Sequence, residues 1–184
     1  MYGGILSPEA VVTERYPIGK FTFDGHDPAK RATWISDLRT APAKLRGAVS
    51  GLSEAQLDTP YRVGGWTVRQ VVHHLPDSHL NSYIRFRWAM TEDAPTIKAY
   101  DEARWAELPD AESAPVGLSL TLLEALHARW VVLLESLSEA DYARHFVHPE
   151  TGAEITLARN LALYSWHSRH HTAQITSLRE RKGW

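Results

Sequence analysis

The chain contains no cysteine. This absence excludes disulfide bonds, thiolate zinc sites and a cysteine nucleophile, so a metal site would need histidine or carboxylate ligands. The sequence also lacks an uninterrupted run of about 18 apolar residues, so we predict no transmembrane helix. The net charge of −2 provides no basic surface for nucleic acid. Residues 1–12 lack a basic flank followed by an apolar core, so we predict no signal peptide and expect a cytoplasmic location.

Histidine and tryptophan are abundant, with ten and seven copies in 184 residues. The length predicts a single domain covering residues 1–184, with enough chain to bury a sizeable core. Residues 1–25 contain turn residues and no helical period, which predicts an extended N-terminal arm. We expect the aromatic side chains of this arm to pack against the domain or against a partner subunit.

Apolar residues recur at helical spacing in four long segments. We predict that these helices begin at the capping residues Asp27, Thr67, Ser119 or Thr121, and Thr156. The third helix should end near residue 137 and the fourth near residue 182. Residues 91–115 form a long connection, and residues 144–148 and 153–155 form a small β-hairpin. The pattern predicts an all-α four-helix bundle, in which ligand sites lie between facing helices.

Three histidines fall within five residues near the C-terminus: His167, His170 and His171. In a helix, His167 and His171 project from one face about one turn apart, so both imidazoles can reach one metal ion. His170, three residues after His167, competes with His171 as the second ligand on this helix. The second helix offers His73 or His74, and only His74 lies on its polar stripe. Three imidazoles leave a fourth coordination position open, as in catalytic zinc sites, and they also suit nickel, manganese or ferrous iron.

Polar side chains accompany the histidines on both inward faces. On the second helix, Asn81 and Arg85 follow His74 at helical spacing, with Asp77 beside them. On the fourth helix, Tyr164 lies on the same arc as the histidines. An inward polar stripe must have partners or a function. Asn81, Arg85 and Tyr164 are therefore candidates for orienting a substrate, and Asp77 is a candidate general base.

Other polar and aromatic residues fall outside these stripes. His127 has no matching partner at ligand spacing, which favours a packing or surface position, and His79 lies off the stripe of the second helix. The long connection contains Tyr100 and Trp105, which could close over a site, and Asp101, a second candidate base.

Several motifs of the chain occur together in one known family. They are YPIG at residues 16–19, LDTPYR at 57–62, GGWTVRQVVHHL at 64–75, DSH at 77–79, NSYIRF at 81–86, WHSRHHTAQI at 166–175 and the final GW. With these motifs the sequence resembles the YfiT group of the DinB-like superfamily over nearly its whole length. Pro76 stands where the family has a small residue, a difference that bears on local helix geometry.

The resemblance implies a DinB-like four-helix bundle, usually dimeric, with one divalent metal ion held by three histidines. The family's ligands match His74, His167 and His171 of this sequence. Members are named as metal-dependent hydrolases, and related members are thiol S-transferases that use bacillithiol or similar thiols.

Three functions are compatible with such a site. The first is a metal-dependent S-transferase, in which zinc, nickel or manganese lowers the pKa of a bacillithiol-like thiol for attack on a small electrophile. The second is a hydrolase in which the metal supplies hydroxide. A hydrolase needs a general base, and neither inward stripe contains a glutamate, so we favour the thiol. The third is a non-catalytic, metal-stabilised binding module. We expect a homodimer with no nucleic-acid or membrane partner.

Overall fold

The computed structural model describes residues 14–25 and 27–184. The long helices are α1 (Pro28–Val49), α3 (Val68–Thr91), α6 (Val116–Ser136) and α8 (Leu157–Lys182). The connections contain α2 (Glu54–Leu57), α4 (Glu102–Trp105), α5 (Pro109–Ser113), α7 (Glu139–Ala143), β1 (His145–Val147) and β2 (Glu154–Thr156). The two strands pair antiparallel, with Phe146 opposite Ile155. The predicted all-α four-helix bundle with a small hairpin before its last helix is confirmed.

The four long helices are not arranged in chain order around the bundle. Helix α1 packs against α6 and α8, and α3 packs against the same two helices. Consecutive long helices α1 and α3 therefore lie on a diagonal, as do α6 and α8. In a simple up-and-down bundle, consecutive helices are neighbours instead. The diagonal crossings place α3 beside α8, so the two helices with histidine stripes face each other.

Three of the four long helices begin at the predicted capping residues. The Asp27 carboxylate accepts a hydrogen bond from the backbone N–H of Ala29, 2.9 Å away. Thr67 and Gln70 form a reciprocal capping box at the start of α3. Thr156 caps α8 through its side-chain oxygen. These caps satisfy backbone N–H groups that have no partner inside the helix.

Helix α6 begins three residues before the predicted start, so the predicted cap is wrong. Its N-cap is Pro115, which makes no side-chain capping bond. The hydroxyl of Ser119 lies 2.7 Å from Nδ1 of His73 on α3. The Ser119 hydroxyl thus makes a tertiary contact with another helix and does not cap its own helix. The local sequence does not reveal this contact.

Helix α6 is also long and apolar enough to cross a membrane by length and composition. One such helix is weak evidence, because the core helix of a soluble protein has the same properties. Here Leu123, Trp130 and Leu134 of α6 are almost fully buried between the other helices. Only about a third of the apolar window of α6 is buried, so one face of the helix is used in the core of the bundle and other apolar residues of the helix are exposed.

Two apolar clusters fill the bundle. One cluster contains Leu38, Phe86, Trp130 and Leu161, and the other contains Leu45, Val72, Leu123 and Ile175. On α3 and α8, the first cluster ends at Tyr83 and Tyr164, and the second begins again at Leu75 and Ile175. His79 of α3 and the three histidines of α8 fall in the interval between them, and His74 borders it beside Leu75. The bundle thus holds a polar layer between two apolar layers.

Residues 14–25 of the N-terminal arm lie against α8. The indole N–H of Trp166 donates to the carbonyl of Gly19, 3.2 Å away, and the side-chain amide of Gln174 donates to the carbonyl of Arg15, 3.1 Å away. The ring of Tyr16 lies 5.7 Å from that of His170. The remainder of the predicted arm, residues 1–13, lies outside the described residues.

A buried arginine joins α3 to two of the connections. Arg69 is 3% exposed, and its guanidinium binds Asp58 and Glu54 and donates to the carbonyl of Ala114 at 3.0 Å. The carboxylates of Glu54 and Asp58 are largely exposed and stay solvated without Arg69. The loss therefore comes mainly from the charge-assisted hydrogen bond to Ala114, so we expect Arg69→Met to lower the free energy of unfolding by about 2 kcal/mol. Chemical denaturation would measure this loss.

The exposed ion pair between Arg46 and Glu124 provides the matched control for Arg69. Because both side chains are solvated, Arg46→Met should cost less than about 1 kcal/mol. Equal losses in the two variants would contradict a structural role for Arg69.

Candidate metal centre

Three imidazoles converge between α3 and α8. Each of His74, His167 and His171 offers one ring nitrogen, and the three nitrogens lie within 4.8 Å of one another. Nε2 of His74 is 3.2 Å from Nε2 of His167. Two nitrogens bound tetrahedrally to one ion at 2.0–2.1 Å would be about 3.4 Å apart. The spacing therefore fits a pair of ligands to a common cation.

The second nitrogen of two of these rings is held by a hydrogen bond. Nδ1 of His171 lies 2.8 Å from Oε1 of Gln174, whose amide nitrogen donates to a backbone carbonyl. Nδ1 of His167 lies 3.1 Å from Nε2 of His79. Such outer contacts orient a metal-binding imidazole and select its tautomer. They leave Nε2 of His167 and of His171 to face the common centre.

Burial keeps the three imidazoles neutral at pH 7. It lowers the pKa of His74 to about 4, with a further contribution from the nearby His170. Burial also lowers the pKa values of His167 and His171 well below the ordinary value, and the neighbouring histidines add to both shifts. A neutral imidazole is the form that binds a metal ion.

The side chains of His73 and His170 make different contacts from those of their neighbours His74 and His171. His73 faces away from the cluster, with Nδ1 at 2.7 Å from the hydroxyl of Ser119 and Nε2 at 3.0 Å from the carbonyl of Ala114. His170 stacks on Trp166, with ring centroids 4.4 Å apart, and its Nε2 accepts from Gln174. The geometry thus groups the three histidines that the stripes indicate. His73 makes its contacts away from the cluster, whereas His170 lines the cleft above it.

A cleft of about 450 Å³ opens over the three histidines. Its walls come from the N-terminal arm, the loop before α3, α3 itself, α8 and the long connection. The lining includes Arg15, Arg62, Trp66, Ser78, Tyr100 and Glu102. The indole of Trp66 stands 4.7 Å from the ring of His74. Among the described residues, the cleft therefore combines an apolar wall with two cationic groups and one carboxylate.

The predicted substrate-orienting residues occupy different positions relative to this cleft. Tyr164 is buried just below it, and its hydroxyl donates to the carbonyl of Ser78 at 3.1 Å. Asn81 donates to the carbonyl of Asp77 within α3. Asn81, Asp77 and Arg85 are partly exposed, and none is among the residues that line the described cleft. The catalytic roles of these four residues remain predictions.

Two acidic residues proposed as bases also differ in placement. Burial raises the pKa of Asp77 to about 6, and Asp110 adds to the rise. Asp101 caps α4 by accepting from the backbone N–H of Arg104. The carboxylate that does line the cleft is that of Glu102, one residue later. The sequence pattern did not single out Glu102, because it belongs to a short helix without a long period.

Sequence patterns also missed His79 and His127 as partners of the cluster. His79 is fully buried, and its Nδ1 lies 2.8 Å from Nε2 of His127. His127 is 1% exposed, and its Nδ1 lies 2.6 Å from the carbonyl of Leu38. Burial lowers the pKa of both histidines, to about 4 in His127. His127 therefore occupies the core and makes specific polar contacts.

The chain belongs to the DinB superfamily, whose family model matches residues 37–175. It is 58% identical over 171 residues to a protein of Bacillus mycoides strain KBAB4 and 57% identical over 171 residues to one of Bacillus cereus strain 03BB102. Each alignment covers 92% of this chain and 98% of the relative, and both relatives bear the name "Putative metal-dependent hydrolase". The predicted family is thereby confirmed.

The fold is similar to that of YfiT from Bacillus subtilis, with a TM-score of 0.92 and 50% sequence identity. The match covers 94% of this chain and 99% of that one. YfiT is described as a probable metal-dependent hydrolase with an unusual four-helix bundle topology. The diagonal placement of consecutive helices in the present chain accords with that description of the topology.

Proposed function

We propose that His74, His167 and His171 bind one divalent metal ion and that the protein is a metal-dependent enzyme. The observation that carries this proposal is the approach of three neutral imidazoles whose ring nitrogens lie within 4.8 Å of one another. Relatives that share more than half of the aligned residues are named as metal-dependent hydrolases. A bound zinc, nickel or manganese ion would lower the pKa of a coordinated thiol or water molecule.

For the reaction we propose thiol S-transfer, with a bacillithiol-like molecule as the co-substrate. Arg15 and Arg62 at the cleft are suited to the acidic groups of a small thiol, and Trp66 provides an apolar wall. The substrate's sulfur would lose its proton to solvent and form a bond to an electrophilic carbon. The leaving group would depart with the electron pair of the bond that breaks.

The phenol of Tyr100 is suited to orient polar groups of the substrate. Burial raises its pKa, Tyr164 adds to the rise and a hydrogen bond with Ser78 opposes it. Tyr100 therefore keeps its proton and can donate a hydrogen bond at the cleft. Ser78 and Tyr164 support this position from below, which gives the predicted residue Tyr164 a positioning role.

A hydrolase is the second candidate, and Glu102 favours it. A carboxylate at the cleft could accept a proton from a water molecule, as a hydrolase requires, and the names of the relatives point to the same class. The helix that contains Glu102 is exposed and belongs to a connection. We rank the transferase first because the described cleft has no carboxylate on the bundle helices themselves.

The two reactions can be separated by testing for a thiol requirement. We expect metal-loaded protein to conjugate bacillithiol to a chromogenic electrophile, with the rate falling at least about 100-fold in His171→Ala because a ligand is lost. His145→Ala, on the hairpin, is the control and should retain the rate. Ester or amide turnover without thiol, lost in Glu102→Gln, would instead establish the hydrolase.

If neither reaction occurs although metal binds, the non-catalytic binding module becomes the preferred function. The homodimer and the cytoplasmic location remain predictions.

A further inference from the structure

A continuous row of hydrogen-bonded rings connects the metal cluster to the opposite side of the bundle. It runs from His167 on α8 to His79 on α3, then to His127 on α6, and ends at the carbonyl of Leu38 on α1. The three contacts measure 3.1, 2.8 and 2.6 Å. All four long helices therefore contribute one member to a single row.

The end of the row determines the direction of every hydrogen bond in it. A backbone carbonyl can only accept, so Nδ1 of His127 must donate to Leu38. In a neutral imidazole the other nitrogen is then an acceptor, so Nε2 of His127 accepts from Nδ1 of His79. By the same rule, Nε2 of His79 accepts from Nδ1 of His167. The lone pair of His167 is therefore left on Nε2, which faces His74.

We propose that His79 and His127 are positioning residues that fix the tautomer of His167 and so prepare its Nε2 to bind the metal. They act through His167 and are not ligands themselves. This inference rests on the metal site proposed above. Nothing in the stripe pattern or in the names of the relatives assigns a role to these two residues.

The chemistry of the row explains why histidine stands at two fully buried positions. An apolar residue at position 79 would leave Nδ1 of His167 without a partner in the core, which is costly for a buried polar group. It would also free the ring of His167 to carry its proton on Nε2, the tautomer that cannot bind. The cost would therefore fall on metal affinity as well as on stability.

The parallel contact at His171 follows the same principle. The amide of Gln174 donates to the carbonyl of Arg15, so its oxygen is available to accept from Nδ1 of His171. Again a backbone carbonyl fixes the direction, and the ligand is left with its lone pair on Nε2. Two ligands of the cluster are thus oriented by contacts that end on backbone carbonyls.

The first test is nitrogen NMR on the wild-type, metal-free protein with ¹⁵N-labelled histidine. Two-bond proton–nitrogen correlations distinguish the Nδ1–H from the Nε2–H tautomer. We expect His79, His127 and His167 to be neutral Nδ1–H tautomers at pH 7.5. A predominant Nε2–H tautomer at His167 would overturn the proposal, whatever the protein does with metal.

The second test compares two substitutions of His79 for zinc affinity, measured by competition with a chromogenic chelator. The amide of glutamine can accept from His167 and donate to His127, whereas leucine can do neither. We expect His79→Leu to weaken zinc binding by roughly 10- to 100-fold. His79→Gln should stay within about threefold of the wild type because the outer contact persists.

The results for these variants distinguish a positioning role of His79 from a purely structural role and from a role as a metal ligand. If both variants lose stability but keep wild-type affinity, the role is merely structural and the proposal fails. If His79→Gln loses zinc as completely as His74→Ala, His79 is a ligand and the proposal also fails. Should His79→Leu not fold, the pair His127→Gln and His127→Leu gives the same comparison. A wild-type protein that binds none of zinc, nickel and manganese would instead refute the proposed function, while the NMR result would still decide the tautomers.

Discussion

Replacing His74 with alanine is expected to abolish metal binding and the thermal stabilisation that it provides. His74 is the member of the cluster that comes from α3, so its loss leaves two ligands on α8 alone. A ligand at 100 times its Kd stabilises the folded state by about 2.7 kcal/mol. For a domain of this size, that corresponds to a rise in Tm of about 5–10 °C in the wild type. We expect no such rise in His74→Ala.

Differential scanning calorimetry with zinc, nickel and manganese would measure this effect, and elemental analysis of purified protein would give the stoichiometry. His73→Ala is a matched control, because it removes an adjacent imidazole from the same helix without touching the cluster. It should lower the Tm of the metal-free protein through the lost contacts with Ser119 and Ala114. Its rise in Tm on adding metal should be preserved, and the reverse pattern would exclude the proposed ligand set.

The grouping of His74, His167 and His171 could be predicted because local periodicity contains most of the information. Two of the three residues are four apart on one helix, so their proximity follows from the helical repeat. The proximity of the third residue, His74, requires in addition that α3 and α8 face each other. The polar stripe indicated which of two adjacent histidines turns toward the partner helix.

The same periodicity overestimated the extent of the site along α3. A helix rises 1.5 Å per residue, so Arg85 is displaced from His74 by roughly 16 Å along the axis and Asn81 by roughly 10 Å. Residues on one stripe share a direction but not a height. The cleft lies at the height of the histidines, where the arm and the long connection meet α3 and α8, and these segments have no period from which to predict it.

His79 and His127 could not be paired from the sequence for a different reason. Their contacts join helices α3, α6 and α8 with the carbonyl of Leu38 on α1. Such a row depends on the rotation of four helices about their axes and on the diagonal order of the bundle. Neither property is encoded in the spacing of residues along any one helix. An isolated histidine in an apolar stripe, as at position 127, is the only local signal.

The metal-free protein is expected to lose stability steeply as the pH falls from 6.5 to 4. Burial lowers the pKa values of His74, His127 and His170 from the ordinary 6.5 to about 4 in the folded protein. Below pH 6.5 the unfolded chain binds protons at these positions while the folded protein does not. Each such shift corresponds to about 3 kcal/mol in favour of the unfolded state. For these three residues the loss is complete once the pH falls below about 4. Burial lowers the pKa values of His79, His167 and His171 further, so their contribution extends the loss to lower pH.

Asp77, in the same region, has the opposite effect on how the free energy of unfolding depends on pH. The pKa of Asp77 is raised to about 6 in the folded protein from the ordinary 3.8. Between these values the folded protein binds the proton more readily, so Asp77 adds stability as the pH falls. Because Asp77 is partly exposed, solvent screens its contribution, which therefore offsets only part of the effect. We expect a net decrease in the free energy of unfolding of at least about 3 kcal/mol.

Urea denaturation of chelator-treated protein at a series of pH values would measure this decrease. His127→Gln removes one titrating group and keeps an amide that can make both hydrogen bonds, so its curve should be flatter than that of the wild type. A free energy of unfolding that stays constant from pH 7 to 4.5 would mean that the buried histidines are solvated or charged in the folded protein. Such histidines would not present the neutral nitrogens that a metal ion requires, so this measurement bears on the site even before any metal is added.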